Sequence, residues 1–247
     1  MSVMYAKTNI SESIMVLIIG ASSVIAQDLI AHYCKQHQVI AVSRTINVPA
    51  GDNLTYIKSN YDEHDISTIT KEIFQQYGAP ALVFICLGTL HCDNYFPEKR
   101  LEDISADYLE HSQKVNFIIP ALWMKNICAL LPKSATTTLT TFSARVGSIE
   151  DNHLGGWYAY RASKAALNMF IQTLSIEMAR RAKLVKLIAF HPGTTDSPLS
   201  KPFQARVPKD KLFSPDFVAM QLANIIDNTE YQGTAKFIDW AGKPIPW

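Results

Sequence analysis

IMVLIIGASSVIAQ (residues 14–27) is the stretch that decides the fold. Ile14 to Ile19 are apolar without alternation, the pattern of a strand covered on both faces. Gly20 follows at once, and Ser22 and Ser23 then introduce a run with helical apolar spacing. A strand, a glycine turn and a helix form the unit that holds a dinucleotide. In that unit glycines make the tight turn and the close backbone approach, and the phosphate rests on N–H groups at the helix N-terminus. Such turns usually carry three glycines, whereas here Val24 and Ala26 stand in the second and third places. The expected cradle is Gly20 with Ser22, Ser23, Val24 and Ile25. Taken alone, the stretch fits a merely structural turn equally well.

Working outward, six more strand candidates follow: QVIAVS (38–43), LTYIK (54–58), ALVFICL (81–87), TTTLTTFS (136–143), LVKLIAF (184–190) and AKFID (235–239). Between them lie helical patterns near 24–36, 65–77, 105–131, 157–181 and 215–228. This alternation predicts an α/β, doubly wound Rossmann fold: a single domain over 14–247 with a mainly parallel seven-stranded sheet. Residues 1–13 read as a polar N-terminal extension. The helix-poor segment 191–214 follows a strand, at the carboxyl edge where ligands bind in this architecture. It is expected to cover the substrate, a plain surface connection being the alternative.

Bulk composition narrows the function classes. The 247 residues carry a net charge of +1, which gives no reason to expect nucleic acid or a membrane surface as partner. No apolar run reaches the roughly 18 residues that a membrane helix needs. Cys34, Cys86, Cys92 and Cys128 form no CxxC pair, which suits reduced thiols in a cytoplasmic protein. No His/Cys/Asp spacing suggests a metal site, and His153 and His191 read as surface or packing residues.

The second strand ends in AVSRT, with Ser43 and Arg44 and no acidic residue. A carboxylate there would bind the ribose 2′-hydroxyl of NAD, whereas an arginine suits the 2′-phosphate of NADP. The reading is NADP(H) over NAD. Arg44 also argues against a methyltransferase on a similar sheet.

GGWYAYRASKAALNMFIQTL (155–174) carries the chemistry. Tyr160 and Lys164 are four apart and share one helix face. Free tyrosine, with a pKa of about 10, is a poor proton donor near neutrality. A neighbouring ammonium is expected to lower that value, so that Tyr160 can protonate a carbonyl oxygen. The spacing also occurs by chance at Tyr95 and Lys99, but there Pro97 sits inside a polar loop. Context decides for Tyr160: a glycine pair leads into it and small residues surround it.

These residues resemble the short-chain dehydrogenases/reductases over the chain from about Ile14 to its end. YRASK matches the Tyr-x-x-x-Lys motif, and GASSVIA stands where the family's glycine turn belongs. SARVGSIEDNHLGGWYAYRASKAALN and the terminal FIDWAGKPIPW are similar to the branch of C-factor-like and sniffer-like carbonyl reductases. The resemblance implies that Asn116 supports a water in the proton relay. It also implies that Pro192, Gly193 and Thr195 lie by the nicotinamide, and that Leu87 and Gly88 represent the Asn-Ala-Gly after the fourth strand. Asn60, followed by Tyr61, takes the place of the acidic residue that meets adenine. A homodimer or homotetramer is implied as well, through helices 105–131 and 157–181.

The family's catalytic serine poses a problem. Alignment on Gly147 puts Ala144 at its usual position, leaving Ser143 as the favoured substitute and Ser148 as the second choice. Two functions are therefore expected to compete. One is an NADP(H)-dependent carbonyl reductase acting on a small ketone or aldehyde. The other is a cofactor-binding signalling or scaffold protein with weak or no activity, motivated by Val24 and Ala144.

Overall fold

A computed structural model describes residues 13–45, 51–228 and 235–247. The proposed extension at 1–13 lies almost wholly outside the described residues.

All seven expected strands are present and pair in parallel; the inner ones are buried from both sides of one sheet, whereas the edge strand Leu54–Lys58 is only half-buried. The seven are β1 (Met15–Ile19), β2 (Gln38–Ser43), β3 (Leu54–Lys58), β4 (Leu82–Ile85), β5 (Thr138–Phe142), β6 (Lys186–His191) and, after two short strands, β9 (Lys236–Asp239). The sheet order is β3-β2-β1-β4-β5-β6-β9, a doubly wound α/β arrangement of Rossmann type. The strand order reverses between β1 and β4, so their carboxyl ends, Ile19 and Ile85, flank the crevice in which such folds bind ligands.

Alternate residues of each strand feed separate cores. Leu17 and Ile19 of β1 pack with α2 (Glu63–Tyr77), α4 (Ile119–Leu130) and α5 (Tyr158–Arg181) on one face. Val16 and Ile18 pack with α1 (Val24–Tyr33) and α6 (Pro215–Asn228) on the other. The expected helix at 105–131 is α3 (Ala106–Gln113) running into α4 through one π turn, Lys114–Ile118. Such turns often mark functional positions, and Asn116 lies inside this one.

Segment 191–214 is more ordered than a plain loop. It contains a small parallel pair, β7 (Thr194–Thr195) and β8 (Leu212–Phe213), with 3₁₀ turns at Lys201–Arg206 and Lys209–Lys211 between them.

Candidate active site

The first turn is built tightly around Gly20. Its φ is +80°, and a Cβ there would stand 2.7 Å from the carbonyl oxygen of Cys86, so only glycine fits. Gly20 N–H and Ala21 N–H both donate to Val42 O, at 2.9 and 3.1 Å, fastening the turn to the end of β2. Ser23 is the N-cap of α1: its hydroxyl accepts from Ala26 N–H at 3.2 Å and its own N–H donates to Gly20 O at 3.0 Å. The turn and the cap thus use its amide and one acceptor site of its hydroxyl, while the O–H can still donate. Ser22 is exposed, and the N–H groups of Val24 and Ile25 open the helix, where no intrahelical acceptor exists. Ala26 is fully buried against the strands, filling the packing role of the third glycine with one methyl.

Ser43 is buried at the end of β2, its hydroxyl donating to Thr45 O, while Arg44 beside it is exposed and makes no ion pair among the described residues. Tyr61 has a φ of 65° and lies beneath the turn, its hydroxyl donating to Val42 O at 3.3 Å. Burial pushes this phenol up to about 12. Through its bond to Val42 O the hydroxyl braces the turn from within. Asn60 is committed too: its amide donates to Asp62 Oδ2 at 2.8 Å and its Oδ1 accepts from Asp62 N–H at 2.7 Å, which braces the start of α2.

At the end of β4, Leu87 packs into the core and Gly88 stays exposed. A Cβ on Gly88 would lie 3.5 Å from Asn116 Oδ1 and 3.6 Å from Lys164 Nζ, so these three residues meet at the crevice. The Asn116 side chain is fully used. Oδ1 accepts from Thr89 N–H at 2.7 Å, and Nδ2 donates to Thr89 O, Ser112 Oγ and Ser163 Oγ at 2.9 to 3.1 Å. It clamps the strand-end loop to α3 and α5.

Tyr160 and Lys164 are both buried in α5. Lys164 Nζ lies 5.8 Å from the Tyr160 ring centroid and donates to Phe142 O at 2.8 Å. The expectation that Lys164 lowers the tyrosine is corrected. Burial pushes Tyr160 upward, with Tyr108 adding to the effect, and drags Lys164 down to about 7. Desolvation disfavours each charged form, and a lysine titrating near neutrality exerts only a partial field.

The serine assignment is corrected as well. Ser143 points into the helical layer and donates to Asn168 Oδ1 at 2.6 Å. Ser148 accepts from Asp151 N–H at 3.1 Å and faces Trp247 O at 3.4 Å. Neither hydroxyl is directed at Tyr160. Ala144, past the strand end, packs with Tyr160 and Leu90, together with Val146, Trp157, Leu199 and Phe203. Trp157 lies 6.3 Å from Tyr160 and 5.3 Å from Phe203, centroid to centroid, and Phe203 belongs to segment 191–214. Tyr95 and Lys99 lie outside any helix.

On the far side of the crevice, Gly193 has a φ of +72°, and a Cβ there would stand 2.7 Å from the Phe213 ring. Pro192 precedes it, and Thr195 is buried with its hydroxyl unpartnered. His191 is held down to about 4, mainly by burial, and is neutral near pH 7. The described residues contain no group of three potential metal ligands.

Sequence reasoning missed Glu98. Its side chain is buried, and both carboxylate oxygens accept from Ala159 N–H, at 3.1 and 3.2 Å. No local signal could have found it, because the contact spans 61 residues.

The fold and site define an α/β nucleotide-crevice protein with a buried Tyr–Lys pair. Residues 14–207 match the model of the short chain dehydrogenase family, and the chain belongs to that family. It is 32% identical over 145 residues to C-signal of Myxococcus xanthus, covering 57% of this chain and 81% of that one. It is 26% identical to benzil reductase ((S)-benzoin forming) of Bacillus subtilis, covering 88% and 95%. The NADPH-bound carbonyl reductase from chicken fatty liver superposes with a TM-score of 0.80 at 20% identity, covering 96% and 100%. The likeness to C-signal agrees with the branch read from the sequence, the family and the benzil reductase relative support an oxidoreductase, and the solved structure shows the shared fold. Among the described residues, no helix is long and apolar enough to cross a membrane.

Proposed function

We propose that the protein is an NADP(H)-dependent carbonyl reductase in which Tyr160 donates the proton. The observation that carries this reading is the buried Tyr160–Lys164 pair, with Lys164 Nζ beside Gly88 at the reversal point of the sheet.

The residues fit a dinucleotide. The Gly20 turn and the Val24 and Ile25 N–H groups would hold the pyrophosphate, and the exposed Arg44 would take the 2′-phosphate. The orphaned Thr195 hydroxyl would bind the carboxamide side of the nicotinamide, near Pro192 and Gly193. Leu87 and Gly88 would border the ribose. Ser43 and Tyr61 hold the turn's frame, and Asn60 stands at the outer rim. When bound, the nicotinamide supplies a hydride to the carbonyl carbon.

The chain's own work is proton handling and exclusion of water. Burial keeps Tyr160 protonated, so the proton is in place for the carbonyl oxygen in the reducing direction, although the raised pKa makes the phenol a weaker acid than free tyrosine. Lys164, titrating near neutrality, would lend the phenolate left behind only a partial field, and Asn116 keeps Thr89 and Gly88 in place beside it. Trp157, Leu199 and Phe203 wall the Tyr160 side of the site and favour an apolar carbonyl substrate. Exposed Ile118, Met169 and Ile176 on the long helices are consistent with association of like subunits.

A second reading, a signalling or scaffold protein that binds the cofactor with little turnover, rests on Ala144. No hydroxyl there can share the carbonyl with Tyr160. Fluorescence titration with NADPH and NADH, followed by turnover on aldehydes, ketones and aryl diketones, separates the two. NADPH binding without turnover on any carbonyl favours the scaffold. Binding of neither cofactor removes both.

A further inference from the structure

The catalytic helix α5 starts without a local cap. Trp157, at its N-cap position, is in the left-handed region with a φ of 53° and no capping side-chain bond. Tyr158, Ala159 and Tyr160 are the first three helical residues, so their N–H groups have no intrahelical acceptor. The partner comes from far along the chain. Glu98 is 2% exposed, and its carboxylate receives Ala159 N–H. Its backbone carbonyl also receives Trp157 N–H at 2.6 Å, and a Cβ on Gly156 would lie 3.4 Å from that same oxygen. Among the described residues Glu98 has no cationic partner, so the helix N-terminus is what balances its charge.

The loop bearing Glu98 is itself anchored at the site. Tyr108 donates to Leu90 O at 2.6 Å, and Tyr95 stacks on Tyr108 at 5.2 Å. His91 and Phe96 from the same loop meet Phe203 at 5.8 and 6.3 Å. One loop thus ties the aromatic wall to the first turn of α5, in which Tyr160 is the third residue.

We propose that Glu98 is a positioning residue: by capping α5 from a distant loop it fixes the Tyr160 hydroxyl and the Trp157 ring relative to the substrate carbonyl. The proposal rests on reading Tyr160 as the proton donor. Reach, not charge, is what the cap requires. Glutamine can still accept from Ala159 N–H, whereas aspartate is one methylene too short.

The test compares Glu98→Gln, Glu98→Asp and Glu98→Ala in the full chain. It measures kcat, carbonyl KM, the NADPH Kd, and amide hydrogen exchange over residues 157–164. Glu98→Gln is expected to keep most of kcat. Glu98→Asp and Glu98→Ala are expected to lose about tenfold or more in kcat, as misplacement of a catalytic group does, with the NADPH Kd held. The Ala159 amide should exchange faster in the Asp and Ala variants only. Equal kcat in Gln and Asp variants, or parallel loss of kcat and NADPH affinity in all three, overturns the proposal. If the wild-type protein reduces no carbonyl, the reductase reading fails on its own. Exchange at Ala159 then still judges the cap, and unchanged exchange in Asp and Ala variants rejects it.

Discussion

The Ser143 hydroxyl donates to Asn168 Oδ1 at 2.6 Å, and this bond turns it into the helical layer, away from Tyr160. Asn168 in turn donates to Gly147 O at 3.3 Å, so the serine secures the turn that follows β5. The space it leaves against Tyr160 is filled by the methyl group of Ala144. In the proposed reaction a substrate carbonyl at Tyr160 would accordingly meet one hydroxyl donor, not two.

Restoring the second donor should accelerate the reaction. A donor at an oxyanion position is worth about 2.7–4 kcal/mol, so Ala144→Ser is expected to raise kcat by up to about 10²–10³-fold. Steady-state NADPH oxidation with a saturating carbonyl measures this, and an unchanged or lower kcat would show that Ala144 does not face the carbonyl.

Ser143→Ala should behave in the opposite way. It leaves Asn168 Oδ1 without its donor and is expected to cost about 1–3 kcal/mol of stability in urea unfolding. Its kcat should remain close to wild type. A collapse of kcat with stability intact would make Ser143 the missing catalytic hydroxyl after all.

Arg44 provides the cofactor prediction. If Arg44 binds the 2′-phosphate as proposed, Arg44→Ala should remove a charged donor from it, a loss of about 1.5–3 kcal/mol, or about 10–150-fold in NADPH Kd. NADH affinity should not change. Equal weakening of both cofactors would assign Arg44 to the turn rather than to the phosphate.

Lys164 makes the cofactor-free protein pH-sensitive. Burial lowers it from 10.5 to about 7 in the folded chain. Between these values the unfolded chain binds a proton that the folded chain does not, so stability rises with pH from about 7 toward 10.5. Below about pH 7 both states carry the proton and the penalty of burying it is constant. Urea midpoints of the wild type should climb between about pH 7 and 9, and Lys164→Met should flatten that climb. Identical slopes in the two proteins would place the titration elsewhere.

Much of the fold is written locally. MVLII, VIAVS and LVFI are strand stretches buried on both faces, so their apolar runs are continuous and unambiguous. The 3.6-residue period located the long helices, but it is blind to the π turn at Lys114–Ile118, where one extra residue enters without changing composition. The Tyr160–Lys164 face follows from spacing together with its helical context, since Tyr95 and Lys99 share the spacing and lie outside any helix. What sequence could not give were facts set by tertiary geometry. Which of Ser143 and Ala144 faces Tyr160 depends on where β5 stops, and Glu98 joins α5 from a loop that reads as polar and featureless. The expected fall in the Tyr160 pKa failed for a related reason: spacing reveals the neighbouring lysine but not the depth at which both residues lie.

The most direct test of the central claim compares Tyr160→Phe with wild type in NADPH binding and in NADPH-dependent reduction of an aryl ketone. The account predicts an unchanged NADPH Kd and a fall in kcat of about 10²–10⁴-fold, the usual worth of a positioned general acid. Carbonyl reduction by Tyr160→Phe at the wild-type rate would contradict it.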